Sequence, residues 1–281
     1  MPEVDASALH NIQEELRLPN VHATAIVDPR ARLDATVTVG PYSLIGPDVS
    51  IGAGTSIGPH CVIEGHTTIG CGNRIFQFVS LGSVNQDLKY AGEPCELIIG
   101  DRNTIREYST YHNGTAQGGG VTRLGDDNWM MAYTHLAHDC QVGNHTIFAN
   151  NAQIAGHVEV GDWAILGAYT CVHQFVRIGA HGMTAMGTVL LADQPPFVMS
   201  SGNPATARSM NFEGLRRRGF SPERIAAVKA MHRALYREDL ILAHAQEKIV
   251  QLAQSAPEAA ADVDLMNGFL ANTSAQRGIV R

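Results

Sequence analysis

In the segment HLAHDCQVGN, residues 135–144, two histidines stand three apart and an aspartate follows the second. Residues of these types support three chemistries. His138 with Asp139 behind it makes a neutral imidazole that can remove a proton, with a carboxylate to orient it. The pair His135 and His138, as H-x-x-H at a corner, could instead ligate zinc with a third histidine from a neighbouring subunit. Both could also be ordinary solvated histidines, the class to which His145 and His181 are assigned. The choice depends on what holds the segment in place.

That scaffold is a repeat. From Val21 the chain divides into sixes such as VGPYSL, IGPDVS, IGAGTS and IGPHCV, interrupted at 87–98 and 117–123 and ending near Asn203. Of 25 hexads, 22 open with Val, Ile, Leu or Met and 12 continue with Gly, which chance does not produce. A period of six is too long for strand alternation and does not fit one amphipathic helix. It fits short strands of two inward residues joined by corners where glycine relaxes the backbone, three sides closing an 18-residue turn. The expected fold is mainly β: a left-handed parallel β-helix of hexapeptide repeats over 21–203, then an α-helical C-terminal domain over 204–281. Ser221 caps one helix of that domain and Pro222 begins it. Residues 1–20 are expected to be a loosely attached extension with one short helix.

Composition agrees with narrow, turned strands: aromatics are 6% of the chain and glycines number 28. No apolar run approaches the roughly 18 residues that cross a bilayer. The N-terminus lacks the basic-then-apolar layout of a signal peptide, so a cytoplasmic protein without membrane insertion is expected. A formal charge of -7 argues against non-specific nucleic-acid binding. The five cysteines are odd in number and never spaced C-x-x-C, and are expected to be packing residues.

Counted in turns of three hexads, both interruptions leave after the second hexad and so emerge at one edge. Second hexads also hold His112, His138, His157 and His173, and Gln86 closes another. Loops on a rigid scaffold commonly carry function. His138 lies one turn from Gly156 and two from Gln174, and Asp139 lies one turn from His157. Gly156 leaves room beside the imidazole and offers a backbone N–H to an oxyanion. Apart from Cys140, whose fifth hexad position points inward, no nucleophilic serine or cysteine is evident there. Direct attack by a substrate hydroxyl is therefore expected.

The segments GSVNQDLKYAGEP, HLAHDCQVGN, IAGHVEVGDWAILGA, VHQFVRIGAH and NFEGLRRRGF together closely resemble the UDP-N-acetylglucosamine O-acyltransferase family, over essentially residues 21–281. The resemblance implies the first step of lipid A biosynthesis in Gram-negative bacteria, transfer of a 3-hydroxyacyl group from acyl carrier protein to the sugar 3-hydroxyl. It implies His138 as general base, Asp139 as its partner and Gly156 as the oxyanion donor. Asp87, His135, His157, Gln174, Asn211, Glu213, Arg217 and Arg218 would contact the nucleotide sugar. Gln86, Lys89 and His173 would line the pantetheine and acyl path, and His112 is counted with the substrate-binding residues. The implied assembly is a homotrimer with sites between subunits. No cofactor or metal is expected beyond the phosphopantetheine that acyl carrier protein supplies. The chain departs from the family at Asn113, where a basic residue is common, and at Met186, where some members carry glycine. Met186 is accordingly expected to set acyl length.

Two competitors remain at this level. A sister N-acyltransferase shares the repeat but carries a uridine-binding domain ahead of it, which twenty leading residues cannot form. A β-helical scaffold that binds nucleotide sugar without turnover is the non-enzymatic alternative.

Overall fold

The computed structural model describes residues 19–273 and 276–281. The N-terminal extension, with its expected short helix, lies outside the described residues up to residue 18. From Asn20 the chain winds into a left-handed β-helix, a three-walled prism of parallel sheets with eleven, nine and eight strands. Thr38 pairs with Ser56 and Ser56 with Arg74, one turn of 18 residues. Across the two interruptions Arg74 pairs with Thr104 and Thr104 with Trp129, and the 18-residue register then resumes at Ile147.

Both excursions connect the nine-stranded to the eight-stranded wall, so they share one edge as expected. Their limits differ from the sequence reading. They run between the strands Ser80–Ser83 and Glu96–Ile99, and between Thr110–His112 and Val121–Leu124. Residues 96–98 and 121–123, expected as loop, pair as strand.

Within a hexad the inward residues are the first and fifth, not two neighbours. Ile45 is 1% exposed and Ser43 equally buried, while Leu44 between them points out at 39%. This is ordinary strand alternation, compressed into one short segment. It explains the cysteines: Cys61 and Cys140 sit at fifth positions and are buried, Cys95 is buried beneath the first excursion, but Cys71 and Cys171 occupy outward positions and are exposed. Packing therefore accounts for three of the five.

Glycine also plays a different part from the one expected. At the second position it is needed for close approach, since a Cβ on Gly58 would lie 2.8 Å from the Gln77 backbone of the next turn. The left-handed backbone falls instead on the fourth position, where Tyr42, His60, Tyr133, Asp139 and His157 have φ of 55–62°. Each such residue costs about 1–2 kcal/mol. Stacking offsets part of this cost: Phe78, Tyr108 and Tyr133 follow one another at centroid separations of 5.1 and 4.8 Å.

The prism thus has three distinct edges. The first, between the eleven- and nine-stranded walls, carries the exposed ring column Tyr42, His60, Phe78, Tyr108 and Tyr133. The second carries Asp139, His157 and Phe175. The third carries His145, Trp163, His181 and Phe197.

After Leu190 the chain closes the prism. Val198–Ser201 joins the eleven-stranded wall, and Thr206–Met210 pairs with it antiparallel. The domain expected to be helical from residue 204 therefore begins with a strand. Helices follow as α1 (Phe212–Arg217), α2 (Pro222–Tyr236), α3 (Leu242–Ser255) and α4 (Ala260–Ala271). Ser221 caps α2 by accepting from Arg224 N–H, with Pro222 in the first turn as expected. Val228, Met231, Ile249, Met266 and Phe269 form a second core. Among the described residues no helix is long and apolar enough to cross a membrane.

Candidate active site

At the second edge His138 and Asp139 occupy the third and fourth positions of one corner. His138 Nδ1 lies 2.8 Å from Asp139 Oδ2. The carboxylate donates nothing, so the bond places the proton on Nδ1 and leaves Nε2 bare to accept another. Nε2 faces the neighbouring turn: a Cβ on Gly156 would lie 2.6 Å from it. Only glycine leaves space there for a substrate atom.

The backbone of Gly156 is equally specific. At the third edge the corresponding third-position amides are capped by the next turn: Cys71 N–H donates to Asp101 Oδ1, Asp101 N–H to Asp126 Oδ1 and Asp126 N–H to Asn144 Oδ1, all within 2.8 Å. Among the described residues nothing accepts from Gly156 N–H. The second edge thus presents a free donor and a free imidazole nitrogen side by side.

Several other expected residues converge here. His157 Nε2 lies 3.7 Å from Asp139 Oδ2, and its ring stacks on Phe175 at 4.3 Å. Burial lowers the His157 pKa, although Asp139 pulls it the other way. Asp87 comes in from the first excursion. Its carboxylate is held below the usual range chiefly by Lys89 N–H, with Gln117 and His138 adding to the effect. His112 is buried and meets His135 edge-on at 5.0 Å. Burial, then the proximity of His112, pushes His135 down to about 4, so this histidine is a neutral hydrogen-bonding group, with Nδ1 2.8 Å from Thr110 Oγ1. Gln86 shares a cavity of about 300 Å³ with His135, Tyr108 and Gln153. His173 and Gln174 are exposed on the same edge further along, where Arg277 Nη1 donates to the Gln174 carbonyl at 2.6 Å. Lys89 is exposed and gives its backbone N–H to Asp87.

The remaining expected residues are not brought to this edge within one chain. Asn211 caps α1, Glu213 lies in its first turn, and Arg217 reaches back to Glu213 at 3.4 Å. This helix docks at the third edge, where Arg218 lies 3.2 Å from His181 Nδ1 with its guanidinium over Trp163. The arginine run therefore faces a different side of the prism from His138. His145 and His181 are not isolated solvated histidines either; both stand in the third-edge ring column, and burial followed by Arg218 pushes His181 down to about 4. Met186 stands 75% exposed at the first edge.

Thr115 and Thr122 were missed from the sequence. Thr115 donates both its N–H and its hydroxyl to the Asp139 carboxylate, at 2.9 and 2.6 Å. Thr122 Oγ1 accepts from Asp139 N–H at 2.8 Å. Counting 18 back from Cys140 would have found Thr122; Thr115, expected within the last hexad before the interruption, lies beyond the end of the strand Thr110–His112 and outside the paired register.

Within one chain the groups that could ligate zinc differ from the expected set. The ligating atoms that converge belong to His138, Asp139 and His157, within 4.8 Å of one another, and not to the H-x-x-H pair. Both Asp139 oxygens already accept from Thr115, and Oδ2 also bonds His138. Such a carboxylate is well held to orient a protonated imidazole nitrogen.

Residues 193–280 match the family described as UDP-N-acetylglucosamine O-acyltransferase, domain 2, and residues 30–65 and 122–156 match bacterial transferase hexapeptide repeats. A relative from Albidiferax ferrireducens, named acyl-[acyl-carrier-protein]--UDP-N-acetylglucosamine O-acyltransferase, is 71% identical across 94% of this chain and 100% of its own. The chain belongs to the UDP-N-acetylglucosamine O-acyltransferase family. It is an acyltransferase. Among solved structures, LpxA from Acinetobacter baumannii is 44% identical with a TM-score of 0.88, covering 93% of this chain and 99% of that one. The Arabidopsis UDP-N-acetylglucosamine acyltransferase is 33% identical with a TM-score of 0.76, covering 93% and 100%. In this member of the UDP-N-acetylglucosamine O-acyltransferase family the second edge sets an imidazole nitrogen able to accept a proton beside a backbone N–H able to donate to an oxygen.

Proposed function

We propose that the chain transfers a 3-hydroxyacyl group from the phosphopantetheine thioester of acyl carrier protein to the 3-hydroxyl of UDP-N-acetylglucosamine, the first step of lipid A biosynthesis in the cytoplasm. The observation that carries this reading is His138, with Nδ1 held by Asp139 and Nε2 open beside the free N–H of Gly156. Nε2 removes the proton of the sugar hydroxyl as its oxygen attacks the thioester carbonyl. Gly156 N–H donates to the oxyanion. Collapse forms the ester, breaks the C–S bond and sends the proton from His138 to the departing thiolate. No resident cofactor is needed. Incubating the protein with UDP-N-acetylglucosamine and 3-hydroxyacyl carrier protein, with and without chelator, tests this. Acylated sugar in both reactions is expected; binding without product would leave only the scaffold reading, and loss with chelator would restore the zinc one.

The placement of the arginines supports a homotrimer. The first edge exposes a column of rings, and the walls flanking it expose Ile26, Leu44 and Trp129 at 68%, 39% and 43%. Setting three copies with this edge at the axis buries those faces against one another. It also sets the second edge of one copy opposite the third edge of the next, which brings Asn211, Glu213, Arg217 and Arg218 to His138. Arg217, with its side chain 78% exposed, is then free to turn from Glu213 to a diphosphate. Replacing Arg217 with Ala should raise KM for the nucleotide sugar about three- to tenfold with a smaller change in kcat, and high salt should shrink the difference. Steady-state kinetics at two ionic strengths measure this, and unchanged constants would return Arg217 to the solvated surface.

Acyl length follows from Met186. It lies three turns beyond the turn of His138, roughly 14 Å at about 4.8 Å per turn. An acyl chain running along the groove reaches this depth at about ten to twelve carbons. Each methylene denied burial costs about 0.8 kcal/mol, so chains two carbons too long should be disfavoured about tenfold or more. In competition among 3-hydroxydecanoyl, 3-hydroxydodecanoyl and 3-hydroxytetradecanoyl carrier proteins, the enzyme should prefer the shorter donors and Met186→Gly should shift it to longer ones. Wild-type preference for the longest donor, or no shift, would remove Met186 from the length setting.

A further inference from the structure

The second excursion makes contacts that the reaction above does not call upon. Thr115, fully buried, holds both oxygens of Asp139 and also caps a single 3-10 turn, Ala116–Gly118, by accepting from Gly118 N–H at 3.2 Å. The turn is closed onto the carboxylate, because a Cβ on Gly118 would collide with Asp139. Two residues beyond Thr115, Gln117 Nε2 donates to Asp87 Oδ2 at 2.9 Å. Asp87 belongs to the other excursion, so one short turn grips a carboxylate on each side of it.

We propose that this turn is a positioning device with two separable duties. Thr115 fixes the Asp139 carboxylate so that Oδ2 points at His138 Nδ1 and selects the tautomer with a bare Nε2. Gln117 fixes Asp87 at the height where the nucleotide sugar is received. The inference rests on the acyl-transfer reading above. A carboxylate has about four lone-pair sites and turns freely about its last torsion, so a single imidazole partner does not determine its orientation. Two donors from one residue, a backbone N–H on Oδ1 and a hydroxyl on Oδ2, do. Neither threonine nor glutamine exchanges a proton in the reaction, so both act through the residues they hold.

Two variants separate the duties. Thr115→Val keeps shape and backbone N–H but removes the hydroxyl, and should lower kcat roughly ten- to a hundredfold with KM for the nucleotide sugar nearly unchanged. Thr115→Ser should recover kcat to within about threefold. Nitrogen-15 spectra of the imidazoles should show His138 as the Nδ1–H tautomer in wild type and Ser, and a tautomer mixture in Val. Gln117→Ala should instead raise KM about three- to tenfold with a smaller effect on kcat. Wild-type kcat and tautomer in Thr115→Val, or parallel changes of both constants in the two variants, would overturn the proposal. If Thr115→Val does not fold, Gln117→Ala alone decides, since a change confined to kcat would contradict its assigned duty. A wild-type protein without acyl transfer would sink the functional reading instead, and the tautomer spectra would still report on Thr115.

Discussion

Replacing His138 with Ala should lower turnover by roughly 10² to 10⁴, the usual worth of a positioned general base, and leave the fold intact. The side chain is 15% exposed at an edge, outside the prism interior, so its removal opens no core cavity. Its ring nonetheless turns Nε2 toward the space beside Gly156. The loss should appear in kcat and kcat/KM together, as it does when an interaction is made only in the transition state. Single-turnover assays with saturating acyl carrier protein, alongside thermal unfolding, provide the check. A mutant with most of its turnover would take His138 out of the mechanism.

Gly156→Ala should be nearly as damaging, for a purely geometric reason. The glycine is not in a left-handed conformation, so alanine meets no backbone strain there. What the new methyl meets is the His138 ring, the movable end of a side chain. The imidazole can swing aside at little cost to folding, but only by leaving Asp139 and the position from which Nε2 serves. Misplacement by about 1 Å can cost about 10²-fold in rate. The expected result is therefore a turnover lowered about a hundredfold with an almost unchanged unfolding temperature. Gly58→Ala is the contrasting case, since its Cβ would strike backbone that cannot move away. An active Gly156→Ala enzyme would show that the geometry around His138 is not what the reaction uses.

How much of this was legible in the sequence depended on whether a residue lay in register. His138, Asp139, Gly156 and His157 could be brought together by counting, because no excursion interrupts this part of the repeat and 18 residues close each turn. The same counting assigned both excursions to the right edge but misplaced their limits. Glu96 and Val121 resume strand pairing before the Ile and Leu openings that mark the next hexads, so the pattern announces the strand late. Glycine was misread because its frequency at the second position looks like conformational need, whereas the left-handed residues at the fourth position are mostly large and polar or aromatic. Thr115 and Gln117 lie where the path leaves the repeat, and no period predicts a single turn. The arginine run was visible as a charge cluster, yet the side of the prism it faces is set by how α1 packs, which depends on a second core with no periodic signal.

The undisturbed pairing of Arg74 with Thr104, and of Thr104 with Trp129, has a consequence for how such a protein can change. The walls close as though the excursions were absent, so segments inserted at this edge can lengthen, shorten or be exchanged without repacking the interior. Loop closure grows only as the logarithm of length, about 0.6 kcal/mol for each doubling. An insertion inside a wall would instead rotate every outward side chain into the core for the rest of that turn. Variation is thereby channelled to the two excursions beside the candidate site, while the column that aligns His138 with Gly156 stays constant. New acceptors could be explored by loop grafting on an unaltered prism, with proton transfer retained throughout.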